Sequence, residues 1–407
     1  MKMKKIGYAA SSVTLVAAMF MAGASAAAEK QLKIGVLGDM SGPYAEVAGP
    51  GSVEAARMAA EDMKDSLAAK GFTVEILAGD HQNKPDIGTG IVRKWFDVDG
   101  VDVVSDVPVS SVALAVQTLA RENKKIVLFS SAGSDRISNA DCSPYTAQWT
   151  FDTNAVGRAT ARTMIEEGGK SWYFLTADYV FGHALQGTAE DVVKSAGGKV
   201  LGAVRHPINS SDFSSYVLRA QSSGADVVGI ASTGPDAQKA VAAMSEFGLL
   251  AGGQKAASLL MYESDVRSVG LETAQGLYLT LAFYWNLDEH TRTFSERYYK
   301  RMNAMPNMLQ AGVYSSVSHY LKAVHALGGK DPDDVMAWMR ANPVDDFFSR
   351  GGTLREDGLM IHDMYLLQVK SPAESEGPWD ILKLVRRIPG DDAFKPLSES
   401  TCPYLKK

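Results

Sequence analysis

The sequence predicts an α/β protein built from two doubly wound domains. Three observations carry this. Short apolar runs alternate with amphipathic segments, the rhythm breaks in a long polar stretch after residue 131, and it then restarts. Alternation of this kind is the mark of βα units, in which parallel strands are covered by helices. Two such blocks need two cores, and 407 residues suffice for both.

In chain order, "QLKIGVLGD" reads as the first strand and "SVEAARMAAEDMKDSLAAK" as the helix after it. "FTVEILAGD", "VDVVSDV" and "KKIVLFSS" are the next strands, separated by the helical "IGTGIVRKWFDV" and "SSVALAVQTLAREN". The break is "AGSDRISNADCSPYTAQWTFDTN", polar and holding Pro, Cys and Trp. The second block runs through the strands "SWYFLTADY", "GKVLGAVRH", "ADVVGIAST" and "KAASLLMYES", each but the last followed by an amphipathic segment. "TRTFSERYYKRM" and "QAGVYSSVSHYLKAVHAL" are helical, and "MIHDMYLLQVK" and "WDILKLVRRI" read as an antiparallel finish.

The N-terminus sets the expected compartment. "MKMKK" is a positive start, "IGYAASSVTLVAAMFMAG" an apolar stretch, and "ASA" a small-residue cleavage site, so residues 1–26 read as a signal peptide cut after Ala26, with Ala28 as the alternative. An uncleaved anchor is the competing reading. Losing three lysines and no acid takes the formal charge from −6 to −9. That balance argues against nucleic acid or an anionic membrane as partner. After residue 30 no apolar run approaches the ~20 residues that span a bilayer. The expected location is the periplasm. Its oxidising conditions favour a disulfide between the two loop-like cysteines, Cys142 and Cys402, over two buried thiols.

Catalytic patterns are missing from the sequence. It has no H-E-x-x-H, no C-x-x-C, no Cys/His group at metal spacing and no G-x-S-x-G elbow, since "GDMSG" has the wrong spacing. His183, His206, His319 and His325 stand apart in separate contexts. "GPGSVEAAR" lacks the G-K-[ST] of a phosphate-binding loop and the spaced glycines of a dinucleotide site. Neither cofactor nor metal is expected, and an enzyme is disfavoured.

Ligands of open α/β sheets sit at the carboxyl ends of the strands. Here those ends carry small and hydroxyl-bearing residues: Ser41 and Tyr44 after the first strand, Ser110 and Ser111 after the third, and Ser130, Ser131, Ala132 and Ser134 after the fourth. Taken singly, a serine at a helix start is a cap. Converging, such ends offer backbone N–H groups and hydroxyls to a carboxylate. Aromatic residues gather opposite: Tyr179 and Phe181, then Trp149 and Phe151, then Phe283, Tyr284 and Trp285. Each alone reads as core. Together they suggest a cleft holding an apolar body at one side and its carboxylate at the other.

"SGPYA", "VSSVALAVQTLARENK", "FSSAGSD", "DYVFGHAL", "DFSSYVLRAQSSGADVV" and "TGPDAQKAVAAMSEFGL" together resemble the type I periplasmic solute-binding proteins of ABC transporters, the leucine/isoleucine/valine-binding branch. "ESDVRSVGLETAQGLYLTLAFYW" and "MPNMLQAGVYSSVSHYLKAV" are similar to members that bind aromatic carboxylates. The resemblance implies two lobes joined by three crossovers near Trp149–Asp152, Tyr278–Thr280 and Leu354–Met360, with ligand in the cleft between them. Lobe 1 is then 29–149 plus 280–355, and lobe 2 is 150–279 plus 356–407. It places the carboxylate on Ser110, Ser111, the backbone at Ala132, and Ser134. The aromatic wall falls on Phe181 with Tyr179 beside it, and Thr233 matches a further contact position. In "LLMYESD" either Glu263 or Tyr262 faces the cleft; the first suits an amino acid, the second an uncharged aromatic end. The implied function is a monomeric receptor delivering a small aromatic carboxylate, benzoate or cinnamate in type, to a membrane permease. A receptor for branched-chain amino acids or related amides is the alternative, and a sensory subunit or an exported hydrolase stands behind both.

Overall fold

The protein is described here from a computed structural model covering residue 1 and residues 30–405. The segment read as a signal peptide lies outside these residues. Among the described residues, no helix is long and apolar enough to cross a membrane.

Apolar residues on both faces of the first strand make it an interior strand. β1 (Lys30–Gly38) leaves no exposure at Leu32, Ile34, Val36 or Leu37, and each such burial stabilises by about 1.5–3 kcal/mol. The chain continues through α1 (Ala45–Ala48), α2 (Pro50–Ala68), β2 (Phe72–Asp80), α3 (Pro85–Lys94), β3 (Val103–Asp106), α4 (Ser110–Glu122), β4 (Ile126–Phe129) and β5 (Thr146–Gln148). These strands form one parallel sheet in the order β2-β1-β3-β4-β5. β5 lies inside the stretch that reads as an irregular break. Its Gln148 N–H donates to Gly358 O at 2.7 Å, a contact supplied from far along the chain.

The second block comprises α5 (Thr153–Glu166), β6 (Ser171–Ala177), α6 (Val180–Ser195), β7 (Lys199–His206), α7 (Ser214–Ser222), β8 (Val227–Ala231), α8 (Gly234–Glu246), β9 (Lys255–Ser258), α9 (Glu263–Val269), α10 (Leu271–Ala274) and β10 (Tyr278–Leu281). After α11 (Glu289–Met302), α12 (Met308–Leu327) and α13 (Pro332–Ala341) come the short β11 (Val344–Asp345), β12 (Arg350–Leu354) and β13 (Met360–Ile361), then β14 (Met364–Val369) and β15 (Leu382–Ile388). The second sheet has the order β15-β14-β10-β9-β8-β6-β7, with β14 and β15 antiparallel as the sequence pattern suggests. Both sheets are doubly wound.

Although α11 and α12 follow the second sheet, they pack on the first. Gly51 of α2 approaches so closely that a Cβ there would collide with Tyr298 of α11 and Gln310 of α12. Asn307 caps α12 by accepting from the N–H groups of Leu309 and Gln310, and its amide donates to Val47 O at 3.1 Å. Gly328 ends the helix in the left-handed conformation, φ +61°. Tyr278–Leu281 is a strand of the second sheet, so the chain leaves that sheet after Leu281 rather than within 278–280. The connections run side by side: His362 Nε2 lies 2.9 Å from Thr150 O, and Arg350 pairs with Asp288 at 3.2 Å. Cys142 and Cys402 are joined in a disulfide, Cα–Cα 5.5 Å. This bond holds the C-terminal tail, expected with the second lobe, against the first block.

Candidate functional site

A doubly wound sheet opens a crevice where its strand order reverses. In the first sheet the reversal lies between β1 and β3, and an aspartate stands at each strand end. Asp39 is fully buried and accepts from Gly42 N–H (2.8 Å), Tyr44 N–H (2.9 Å) and Asn83 Nδ2 (2.9 Å). It thereby shapes the Ser-Gly-Pro-Tyr loop and sets Tyr44 at the rim, 39% exposed. Ser41 is turned aside, its hydroxyl donating to Asp80 at 2.9 Å. Asp106 ends β3 in the left-handed region at φ +80°, followed by Val107 at +59°. Such values are strained for residues other than glycine, most of all for a β-branched one. The Ser131 hydroxyl donates to Asp106, and burial pushes that carboxyl up to about 7.

The hydroxyl set of the first sheet is drawn together. Ser110 opens α4 and its Oγ accepts from Ser134 N–H at 3.2 Å; Ser111 beside it is exposed. Gln148 Nε2 donates to the carbonyls of Ala132 and Ser134, each at 3.0 Å, which fixes that turn. Having accepted one bond, the Ser110 hydroxyl keeps its own proton for a ligand oxygen.

In the second sheet the order reverses between β6 and β8. Tyr179 follows β6, 39% exposed, with its ring stacked on Phe181 at 5.8 Å; Thr233 follows β8 and is half-buried. The Tyr179 hydroxyl is pushed up to about 12 by burial, with Tyr44 and Asp236 adding to the effect. Tyr44 and Tyr179 come one from each block, each after a strand that borders its sheet's reversal point and each 39% exposed. Tyr262 is the residue before α9 and is half-buried. Burial raises its hydroxyl, and so do Asp265, Tyr44, Glu263 and Asp106, which come from both blocks. Asp265 anchors this turn by accepting from Tyr262 N–H (3.0 Å) and Gln238 Nε2 (2.6 Å).

Glu263, which follows Tyr262 in the chain, lines a chamber of about 240 Å³. Glu46, Gly51, Asn307 and Gln310 line it from the first block and Glu263 from the second. Its apolar wall is Trp285, Tyr298, Met302, Met305, Pro306 and Trp379. Glu263 is 6% exposed, and both its carboxylate oxygens are buried without a hydrogen-bond partner among the described residues. Burial pushes this carboxyl up to about 8. Among the described residues, no lysine or arginine lines the chamber.

Two residues expected in the cleft lie elsewhere. Trp149 has no exposure and donates through Nε1 to Ser315 at 3.1 Å. Phe283, 1% exposed, packs edge-on against Phe294 and Phe347. Both are core, holding the crossings of the chain. Conversely, Asp106, Tyr298 and Trp379 are at the crevice or chamber without having been singled out for it, whereas Trp285, one of the aromatic residues expected at a cleft, does line the chamber. Asp106 had a signal, an acid inside the apolar "VDVVSDVPV" two positions before a proline. Trp379 had none, because its partners are distant in sequence. The crevice can thus offer hydroxyl and N–H donors, and the chamber an aromatic wall with acidic residues.

A family model described as a periplasmic binding protein matches residues 31–377. Leu/Ile/Val-binding protein homolog 6 of Brucella melitensis is 28% identical over 336 residues, covering 81% of this chain and 83% of that protein. A periplasmic binding protein from Burkholderia mallei is 46% identical with a TM-score of 0.83, covering 93% of this chain and 100% of the other. A branched chain amino acid ABC transporter periplasmic ligand-binding protein from Burkholderia xenovorans is 37% identical with a TM-score of 0.87, covering 92% and 99%.

Proposed function

The chain belongs to the periplasmic binding protein family of ABC-transporter solute receptors, and on that premise we propose that it captures a small amino acid with an apolar side chain and hands it to a membrane permease. One observation carries this choice of ligand: Glu263, buried at a chamber wall with both oxygens unpartnered. A buried carboxylate without a partner is costly, and a ligand ammonium ionises and satisfies it. The surrounding Trp and Tyr rings favour a cation as well. The ligand carboxylate rests on the Ser110 hydroxyl and on Ser134 near the Ala132 backbone, and the apolar side chain meets the Trp and Met wall. Ser111, Thr233, Tyr44, Tyr179 and Phe181 close over it when the lobes approach by a hinge motion. The moving bodies are 30–149 with 282–355, and 150–281 with 364–388.

An aromatic carboxylate is the second reading. It is favoured by the aromatic rim and by the raised value of Glu263, which leaves a protonated carboxyl able to donate to a phenolic oxygen. The two readings differ in proton count. At pH 7 an amino acid binding at Glu263 displaces close to one proton, whereas a phenolic acid displaces none. Calorimetry with leucine, phenylalanine and 4-hydroxybenzoate, in two buffers of different ionisation enthalpy, reads this directly. Leucine binding with no proton released defeats the ammonium–Glu263 pairing, and binding of 4-hydroxybenzoate alone establishes the second reading.

A further inference from the structure

We propose that Trp379 sets the upper limit on the size of the ligand's apolar side chain, an inference that rests on the amino-acid reading above. Trp379 stands near the end of the connection between β14 and β15 and contributes to the chamber wall. It comes from the second block, yet it meets the first: its ring lies edge-on to Tyr299 of α11, centroids 6.4 Å apart at 82°.

A wall residue limits size only if it cannot swing away, and Trp379 is moored on three sides. The Arg267 guanidinium lies 3.6 Å from the ring centroid, close enough for a cation–π contact. Its backbone carbonyl accepts from Tyr284 Oη (3.0 Å) and from Trp285 Nε1 (2.8 Å), so it is tied to the segment by which the chain leaves the second sheet. Lys370 and the largely buried Asp380 pair at 2.6 Å and clamp the base of the connection, and Asp380 also accepts from Glu376 N–H at 3.0 Å. Ligand growth beyond the chamber therefore runs into a ring that is held in place. A long polar connection of this kind needs no such clamp merely to turn the chain.

The test is a set of dissociation constants for leucine, phenylalanine and tryptophan, measured by calorimetry on wild type, Trp379→Ala, Trp379→Phe and Arg267→Ala. Circular dichroism melts first establish that each variant is folded. Trp379→Ala is expected to lower the tryptophan-to-leucine ratio of dissociation constants by about tenfold, the scale on which a filled hydrophobic pocket discriminates. Arg267→Ala, which loosens the ring without removing it, moves the ratio the same way by less, and Trp379→Phe falls between wild type and alanine. Wild-type protein that binds leucine while Trp379→Ala leaves the ratio unchanged overturns this proposal alone. Wild-type protein that binds none of the three overturns the amino-acid reading and this proposal with it.

Discussion

The rim of the crevice and the chamber are built on opposite terms. At the rim, polar groups already serve one another: Ser41 is spent on Asp80, Ser134 N–H on Ser110, and Gln148 on the carbonyls of Ala132 and Ser134. A ligand there meets groups already held in place by one another, with single donors such as the Ser110 hydroxyl proton left over for it. In the chamber, Glu263 has no partner and sits among tryptophan and methionine side chains. The first region is preorganised by its own bonds; the second is left incomplete. A protein that must both fold and respond to a solute can separate these tasks in space, so that the incomplete region is where ligand changes the energy most.

Three substitutions or conditions break or sharpen that contrast. The largest effect is expected from Glu263→Gln, which keeps the shape and removes the charge. Amino-acid affinity should fall at least a hundredfold, about 3 kcal/mol, as for loss of one member of a buried charge pair. Calorimetry giving an unchanged dissociation constant would place the incomplete region elsewhere.

Next in size is the dependence of stability on pH. Glu263 titrates at about 8 when folded against its ordinary 4.5. The folded state therefore holds a proton that the unfolded chain gives up, and the ligand-free protein loses stability as pH rises from 4.5 to 8. Melting curves should show Glu263→Gln more stable than wild type at pH 8 and little changed at pH 5. Equal shifts at both values would mean that the substitution acts through packing.

The smallest effect belongs to the rim. Ser110→Ala removes one donor to the ligand carboxylate and one acceptor for Ser134 N–H, and about a fivefold loss of affinity is expected, near 1 kcal/mol. A loss as large as that from Glu263→Gln would erase the distinction between the two regions.

The alternation of strands and helices was legible because apolar periodicity is local and strong. β5 was not, since three residues beside a Cys-Ser-Pro turn owe their strand to pairing with β4, with one further bond to Gly358, some two hundred positions away. The hydroxyl-rich strand ends were also legible, because serine next to a predicted strand end has few other reasons to recur. Aromatic residues misled. Trp149 and Phe283 lie where the chain crosses between blocks, as a cleft wall would, but sequence does not say which way a ring turns, and both turn into the core. Tyr262 and Glu263, consecutive at a helix start, diverge: Glu263 lines the chamber and Tyr262 does not.

The disulfide also has a consequence in time. Cys142 and Cys402 are separated by 260 positions. At synthesis rates of about 5–20 residues per second, the first thiol waits on the order of tens of seconds before its partner exists. Early in that interval the last strand of the first sheet, β5, is made, yet the helices that cover α2 and the tail that closes the bond come later. The cross-link therefore cannot guide the early steps of assembly. It acts as a latch, set only once nearly everything it spans is in place.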